Sequence, residues 1–325
     1  MEVYSWDIVQ ATILSQAEVA GTPIPESLFE RNNFFSPQGL GCNLTFFEVS
    51  SKGAEKLAEY VSQEYLGTSG GLTLSGIPPH VYTDITPCNI STAQQFTKAV
   101  QKLKKRNKAN DRLRDAIAMW KNASDLVNSK RYVFISFDIE VYEMDHKILL
   151  ELGWSMFDSQ TNRYMDQHYI NSTYRHLSNG RFVDDQKLKF MFGVSVWASL
   201  DQALTEFRKD LDWCVRRDGG YVLVGHGLEN DFKFLAMQKF KWPVAGGRGS
   251  HNDVSRSAVV ASLDTETLYG AYSNSLHNPP SLGRSMDNLN LESWCLHNAG
   301  NDSHYTMELF LHLCQKYPST NAQAS

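Results

Sequence analysis

The sequence contains few cysteines and no long apolar run. Its 325 residues include five cysteines, an odd number that lie far apart and form no Cys-x-x-Cys pair. This usage argues against a disulfide framework and a zinc site, and it favours a reducing compartment. No apolar run is long enough to span a bilayer, and the first basic residue is Arg31, so neither a membrane segment nor a secretory leader is expected. These absences predict a cytoplasmic or nuclear protein, or one present in both compartments, without membrane association.

An excess of positive charge is also absent. The net charge is −5, from 31 Lys and Arg against 36 Asp and Glu. Proteins that coat long stretches of nucleic acid are usually basic, because they neutralise phosphates. A nuclease is nevertheless compatible with this balance, since carboxylates gathered around metal ions lower the formal charge and the bound cations restore a positive potential.

Two parts of the sequence have different patterns. Residues 1–129 predict a mainly helical N-terminal region of unknown role, interrupted by Gly- and Pro-rich stretches such as residues 67–79. A strongly basic stretch at residues 101–114 favours a solvated helix face over a nucleic-acid or import patch. Residues 130–318 read as a second, α/β domain, and residues 319–325 as a polar tail.

The second domain begins with three predicted strands. The stretch RYVFISFDIEVYE (131–143) is rich in β-branched and aromatic residues, which is typical of a buried central strand. Residues 147–158 and 162–170 predict the next two strands, joined by a hairpin turn in SQTN. Helical and strand patterns then alternate to the end. The order predicts a mixed sheet flanked by helices and matches the ribonuclease H-like fold.

Carboxylates occur within these apolar elements. Asp138 and Glu140 are two positions apart on the central strand, so they face the same side. Two acids there are costly to desolvate unless a cation compensates, which indicates a divalent metal, although an exposed strand end is the alternative. Asp231 begins a helix, where it either binds metal or complements the helix dipole. His297 precedes Asp302 and the last long helix, and a structural histidine is the alternative to a catalytic base there.

These five residues, in this order within one α/β domain, resemble the DEDDh exonuclease superfamily over about residues 131–316. The stretches FMFGVSVWASL, VGHGLENDFKFL, PSLGRSMDNL and HNAGNDSHYTMELF are similar to a fungal branch of it. That branch includes a quelling-associated exonuclease and a "good for full DEAD-box helicase activity" type protein linked to mRNA export.

The resemblance implies a two-metal 3′–5′ exonuclease acting on single-stranded RNA or DNA and releasing nucleoside 5′-monophosphates. Asp138, Glu140, Asp231 and Asp302 would hold two Mg²⁺ or Mn²⁺ ions, with Asp138 bridging them and Glu140 orienting the attacking water. His297 would be the general base, a role that imidazole fills well near neutral pH. The resemblance also implies contacts to the terminal nucleotide, by Val141, Tyr142, His226, Gly227 and Asn230.

Several alternatives remain open at this point. The chain could be a catalytically silent nucleic-acid-binding or scaffold protein of an RNA-processing or mRNA-export complex, or a ribonuclease H-like endonuclease. Residues 1–129 could bind a protein partner and be the functional centre. The glycine-rich loop 244–256 fits a mobile substrate flap and a plain surface loop equally, whereas Asp264 is expected to cap the helix that follows it.

Overall fold

The computed structural model describes residues 3–5, 15, 44–45, 48–50 and 93–318, and the chain divides into two compact units, 1–110 and 111–325. In the first unit, β1 (Val3–Ser5), β2 (Leu44–Thr45) and β3 (Glu48–Ser50) form an antiparallel sheet in the order β1-β3-β2. The helices expected before residue 90 lie outside the described residues. The mainly helical N-terminal region and the domain division at residue 129 therefore stay predictions.

The helix expected from about residue 92 is present as α1 (Ala93–Asn128), which spans the division between the two units. Within its basic stretch Lys102, Lys105 and Lys108 are exposed. No helix among the described residues is long and apolar enough to cross a membrane.

The second unit alternates strands and helices as its sequence pattern predicts. Its strands are β4 (Val133–Tyr142), β5 (Asp145–Asp158), β6 (Arg163–Asn171), β7 (Val196–Ala198), β8 (Tyr221–Gly225), β9 (Trp242–Pro243), β10 (Ser250–His251) and β11 (Val259–Asp264). Its helices are α2 (Leu200–Asp218), α3 (Glu229–Met237), α4 (Thr265–Tyr272), α5 (Leu282–Asn288) and α6 (Ala299–Lys316). The Ser199 side chain caps α2 by accepting a hydrogen bond from the Gln202 backbone N–H, as expected.

Six strands form the main sheet in the order β11-β8-β4-β5-β6-β7. The antiparallel meander β4-β5-β6 contains the predicted hairpin turn, and β8 and β11 add parallel strands on the other side of β4. The central position of β4 explains its nearly continuous burial from Val133 to Phe137. The predicted ribonuclease H-like mixed sheet flanked by helices is confirmed.

Alternate side chains of β4 enter two separate hydrophobic clusters. Phe137 packs with Phe207 of α2 on one face, whereas Phe134 packs with Phe310 of α6 on the other. Ser136, on the α6 face, donates a hydrogen bond to the Ser303 carbonyl oxygen of α6. Because side chains alternate along a strand, the even-numbered residues that follow Ser136 also point toward α6.

Candidate active site

Asp138 and Glu140 follow Ser136 on this face, near the carboxyl end of β4. Burial, and secondarily the charge of Glu151, raises the pKa of the Asp138 carboxyl to about 7. The pKa of Glu140 is also raised well above its usual range, by burial and by the neighbouring carboxylates. Both shifts reflect negative charge that the surrounding protein does not compensate.

Asp231 is brought to this strand by the first turn of α3. The backbone N–H of Ile139 donates a hydrogen bond to the Asp231 carboxylate, which places Asp231 beside the strand that carries Asp138. The turn before α3 is fixed by Asp264, whose carboxylate accepts hydrogen bonds from the N–H groups of Gly227 and Leu228. Burial and the charge of Asp138 raise the pKa of Asp231 well above its usual range.

Asp302 and His297 lie at the start of α6. The Asn298 side chain caps this helix, and the His297 backbone N–H donates to Asp302 Oδ2 at 3.0 Å. Asp302 Oδ1 is buried and has no hydrogen-bond partner among the residues that the structure describes. Potential ligand atoms of Glu140, His297 and Asp302 all lie within 4.8 Å of one another. Glu140 of β4 and Asp302 of α6 therefore lie close together, with His297 beside them.

This cluster is chemically suited to divalent cations. Among residues 93–318, no Lys or Arg forms an ion pair with any of the four predicted acids, although buried carboxylates are costly without compensation. Burial and the charge of Asp138 raise the pKa of Asp302 well above its usual range. An all-oxygen set of carboxylates, one with an unpartnered buried oxygen, is the donor chemistry that Mg²⁺ and Mn²⁺ prefer.

A fifth carboxylate, Glu151, was not identified from the sequence. It lies on β5 directly opposite Glu140 and is buried. Its Oε2 accepts a hydrogen bond from the Ala299 N–H at 3.2 Å and lies 2.8 Å from His168 Nε2. Glu151 therefore connects β5 and β6 to the first residue of α6. A lone acid inside the apolar run LLELGW was the signal that could have found it.

The five predicted substrate contacts occupy different environments. Val141 lines a cavity of about 420 Å³ together with Glu140 and His297, whereas Tyr142 is half-buried at the end of β4. Both ring nitrogens of His226 lie within hydrogen-bond distance of protein oxygens, Thr265 Oγ1 at 2.9 Å and the Pro280 carbonyl at 3.1 Å. The Gly227 N–H is bonded to Asp264, and Asn230 is exposed on α3. Their contacts with a nucleotide stay predictions.

Two other expectations concern the segments beside the site. Asp264 caps α4 by accepting a hydrogen bond from the Glu266 N–H, which confirms its predicted role. The glycine-rich loop 244–256 contains β10 and a short 3₁₀ helix, and Arg208 of α2 donates to its Gly249 carbonyl oxygen. Whether it acts as a flap stays a prediction.

Comparison with known proteins gives one family match. Residues 133–313 match the model of the DEDDh family described as "DNA polymerase III subunit epsilon-like, C-terminal domain".

An uncharacterized nucleolar protein of Schizosaccharomyces pombe is 30% identical over 235 residues, which cover 69% of this chain and 88% of that protein. The Saccharomyces cerevisiae "Good for full DBP5 activity protein 2" is 26% identical over 212 residues, 58% of this chain but only 36% of that protein. The chain thus spans about a third of the length of this second relative. Among solved structures, the RNase domain of yeast Pop2 aligns with a TM-score of 0.29 and 14% identity over 62% of this chain and 82% of that one.

Proposed function

The chain belongs to the DEDDh family of epsilon-like exonuclease domains, in its fungal branch, and from this premise we propose that it is a 3′–5′ exonuclease. It removes nucleotides from the 3′ end of single-stranded RNA or DNA and releases nucleoside 5′-monophosphates. The observation that carries this proposal is the cluster of four uncompensated carboxylates on β4, α3 and α6, next to the exposed ring of His297.

The four acids fit a site for two divalent ions, Mg²⁺ or Mn²⁺. Asp138, Glu140, Asp231 and Asp302 are the residues that would hold them, and the charge of Asp138 raises the pKa of the other three. When bound, such ions stabilise the attacking and the leaving oxygens of an in-line displacement. The observation that supports this fit is the unpartnered, buried Oδ1 of Asp302.

His297 is the proposed general base. Two observations support this role: His297 is exposed and lines the cavity, and its backbone N–H is bonded to the Asp302 carboxylate. The imidazole accepts a proton from a water molecule that attacks the phosphorus of the last phosphodiester bond. The bond from phosphorus to the 3′ oxygen of the penultimate nucleotide breaks, and the terminal nucleotide departs with its 5′ phosphate.

The test uses the full chain with a 5′-labelled single-stranded RNA and the DNA of the same sequence, each with Mg²⁺, Mn²⁺ or EDTA. We expect a ladder that shortens from the 3′ end and is lost in EDTA, in Asp138→Asn and in His297→Ala. Asp287→Asn and His277→Ala, which change exposed residues of the same types away from the cluster, are the matched controls and should keep full activity. Comparison of the cleavage of the RNA and the DNA strand shows which of the two sugars the protein prefers.

The same assay separates the alternative functions. An intact substrate with folded protein that gains no thermal stability from Mg²⁺ or Mn²⁺ would favour a silent binding or scaffold protein. Cutting of a 3′-blocked strand at internal positions would favour an endonuclease. Loss of the ladder in Asp287→Asn as well as in Asp138→Asn would mean that the cluster is not the source of activity.

We further propose a nuclear location, supported by the relative named as a nucleolar protein. Imaging of a fluorescently tagged chain tests this, and signal confined to the cytoplasm would contradict it. A protein partner bound through residues 1–129 stays a prediction.

A further inference from the structure

An apolar surface borders the cavity that contains the site. Glu140, Glu151 and His297 contribute to the lining of this cavity of about 420 Å³, and Phe182 and Val183 also line it. The Phe182 side chain is 70% exposed, unusual for a ring of this size. The carbon of the Arg181 guanidinium lies 5.3 Å from the centroid of this ring, and the rest of the ring is exposed to solvent at the cavity, where a flat apolar group could contact it.

The backbone that presents Phe182 is held in place by polar contacts. The Glu143 carboxylate accepts hydrogen bonds from the N–H groups of Arg181 at 2.9 Å and Phe182 at 3.0 Å. The Asn179 side chain donates to the Val141 carbonyl oxygen and accepts from the Glu143 N–H, both at 2.9 Å. These bonds fasten the Phe182 segment to the end of β4, two residues beyond Glu140.

The charge of the cavity indicates which part of a nucleotide enters it. Every carboxylate in the lining adds negative charge, and these residues are Glu140, Glu143, Glu151, Asp184 and Asp185. Away from bound cations such a surface repels phosphate groups, whereas an uncharged base is not repelled. Aromatic rings bind bases by stacking, regardless of the base's identity, because every base has a flat π face.

We propose that Phe182 is the stacking platform for the base of the 3′-terminal nucleotide. The proposal rests on the exonuclease function, because it assigns the cavity beside Glu140 and His297 to the nucleotide that is removed. Phe182 thereby orients the end of the strand, and it favours single strands, since a paired terminal base has to leave its duplex before it can stack on the ring.

The experiment measures stacking without relying on turnover. A DNA strand ending in 2-aminopurine, whose fluorescence falls when the base stacks, is titrated with the His297→Ala chain in Mg²⁺. We expect the His297→Ala chain to quench the fluorescence of the strand. The chain that carries both His297→Ala and Phe182→Ala should not quench it and should bind the strand about tenfold more weakly. Phe182→Trp should restore both signals. Val260→Ala, which shortens another exposed apolar side chain, should leave both unchanged.

A second substrate separates stacking from a general effect on the protein. With an abasic 3′-terminal nucleotide, the chains with and without Phe182→Ala should bind equally. Equal quenching and equal affinity for the 2-aminopurine strand would overturn the stacking proposal even if the wild type shortens RNA or DNA. Quenching that depends on Phe182, in a chain whose wild type cuts nothing, would support stacking and reject the exonuclease.

Discussion

At the residue scale, Asp138 is one of four buried carboxylates that make the site respond to pH. Its pKa in the folded chain is about 7, against an ordinary value of 3.8, so the folded state binds this proton more tightly than the unfolded state does. The stability that Asp138 contributes is therefore complete below about pH 3.8 and is lost as the pH rises through about 7. Bound cations should remove this dependence, because they favour the ionised form.

We therefore expect the melting temperature in EDTA to fall as the pH is raised from 4 toward 7. Mg²⁺ should reduce the fall, and Asp138→Asn should make it smaller, because the amide does not titrate and no longer raises the pKa of Glu140, Asp231 and Asp302. Thermal unfolding followed by circular dichroism at several pH values checks this. The expectation is wrong if Asp138→Asn and the wild type show the same pH dependence in EDTA.

The hydrogen bonds of Glu151 stabilise the fold, and substitutions by Ala and by Gln separate this effect from that of its negative charge. Glu151→Ala leaves the Ala299 N–H and the His168 ring nitrogen without their partner. Because buried unsatisfied groups are costly, we expect the free energy of unfolding to fall by about 3 kcal/mol. Glu151→Gln keeps a side-chain oxygen for the Ala299 N–H and should lose less. Urea denaturation measures both, and an equal loss in the two variants would contradict this role.

At the element scale, the start of α6 depends on close contact with β5. A Cβ atom at Gly153, which pairs with Asp138, would lie 2.2 Å from the carbonyl carbon and oxygen of Ala299. These are backbone atoms, so the helix itself has to move. The position of Gly153 therefore fixes where Asp302 and His297 meet β4.

We expect Gly153→Ala to destabilise the chain by about 3 kcal/mol and to reduce any nuclease activity by more than its stability loss explains. Ser155→Ala is the matched control on the same face of β5. The buried Ser155 Oγ has no hydrogen-bond partner within the described part of the chain, so its removal should be nearly neutral. Unfolding and cleavage measured at a temperature where both variants are folded provide the check. An active Gly153→Ala chain would mean that the helix start tolerates the shift.

The sequence predicted some elements of the site better than others. The alternation in β4 predicts that Asp138 and Glu140 share one face, and the helical pattern after His297 predicts Asp302 in the first turn of α6, as the structure has them. Their role as metal ligands came from the family resemblance and stays a prediction. Glu151 depends on the register between β4 and β5, which shifts on either side of Val141. Such irregularities have no periodic signal, and the same holds for the hydrogen bonds that present Phe182.

At the scale of the whole molecule, the second half of α1 is part of the core of the second unit. Ala116, Trp120 and Ala123 are buried, and the Trp120 indole N–H donates to the Leu313 carbonyl oxygen at 2.7 Å. The Trp120 ring also makes an edge contact with Tyr317, with centroids 5.0 Å apart. Residues 111–128 therefore support the C-terminal end of α6.

A chain of residues 111–318 should consequently fold by itself, whereas residues 130–318 should be less stable by roughly 3 kcal/mol or more, because they lose the burial of Trp120 and its neighbours. Thermal unfolding of the two fragments tests this directly. Equal melting temperatures would show that α1 contributes nothing to the second unit and would favour a division at residue 129.

The wide separation of the four carboxylates along the chain has a consequence during synthesis. Asp138 and Glu140 lie in the β4-β5-β6 meander, which folds through contacts between neighbouring strands. Asp231 and Asp302 come close to them only through contacts between residues far apart in the sequence. A ribosome-bound chain that has not yet released α6 lacks both Asp302 and His297. It therefore has no complete carboxylate cluster until α6 has been released and has packed against β4.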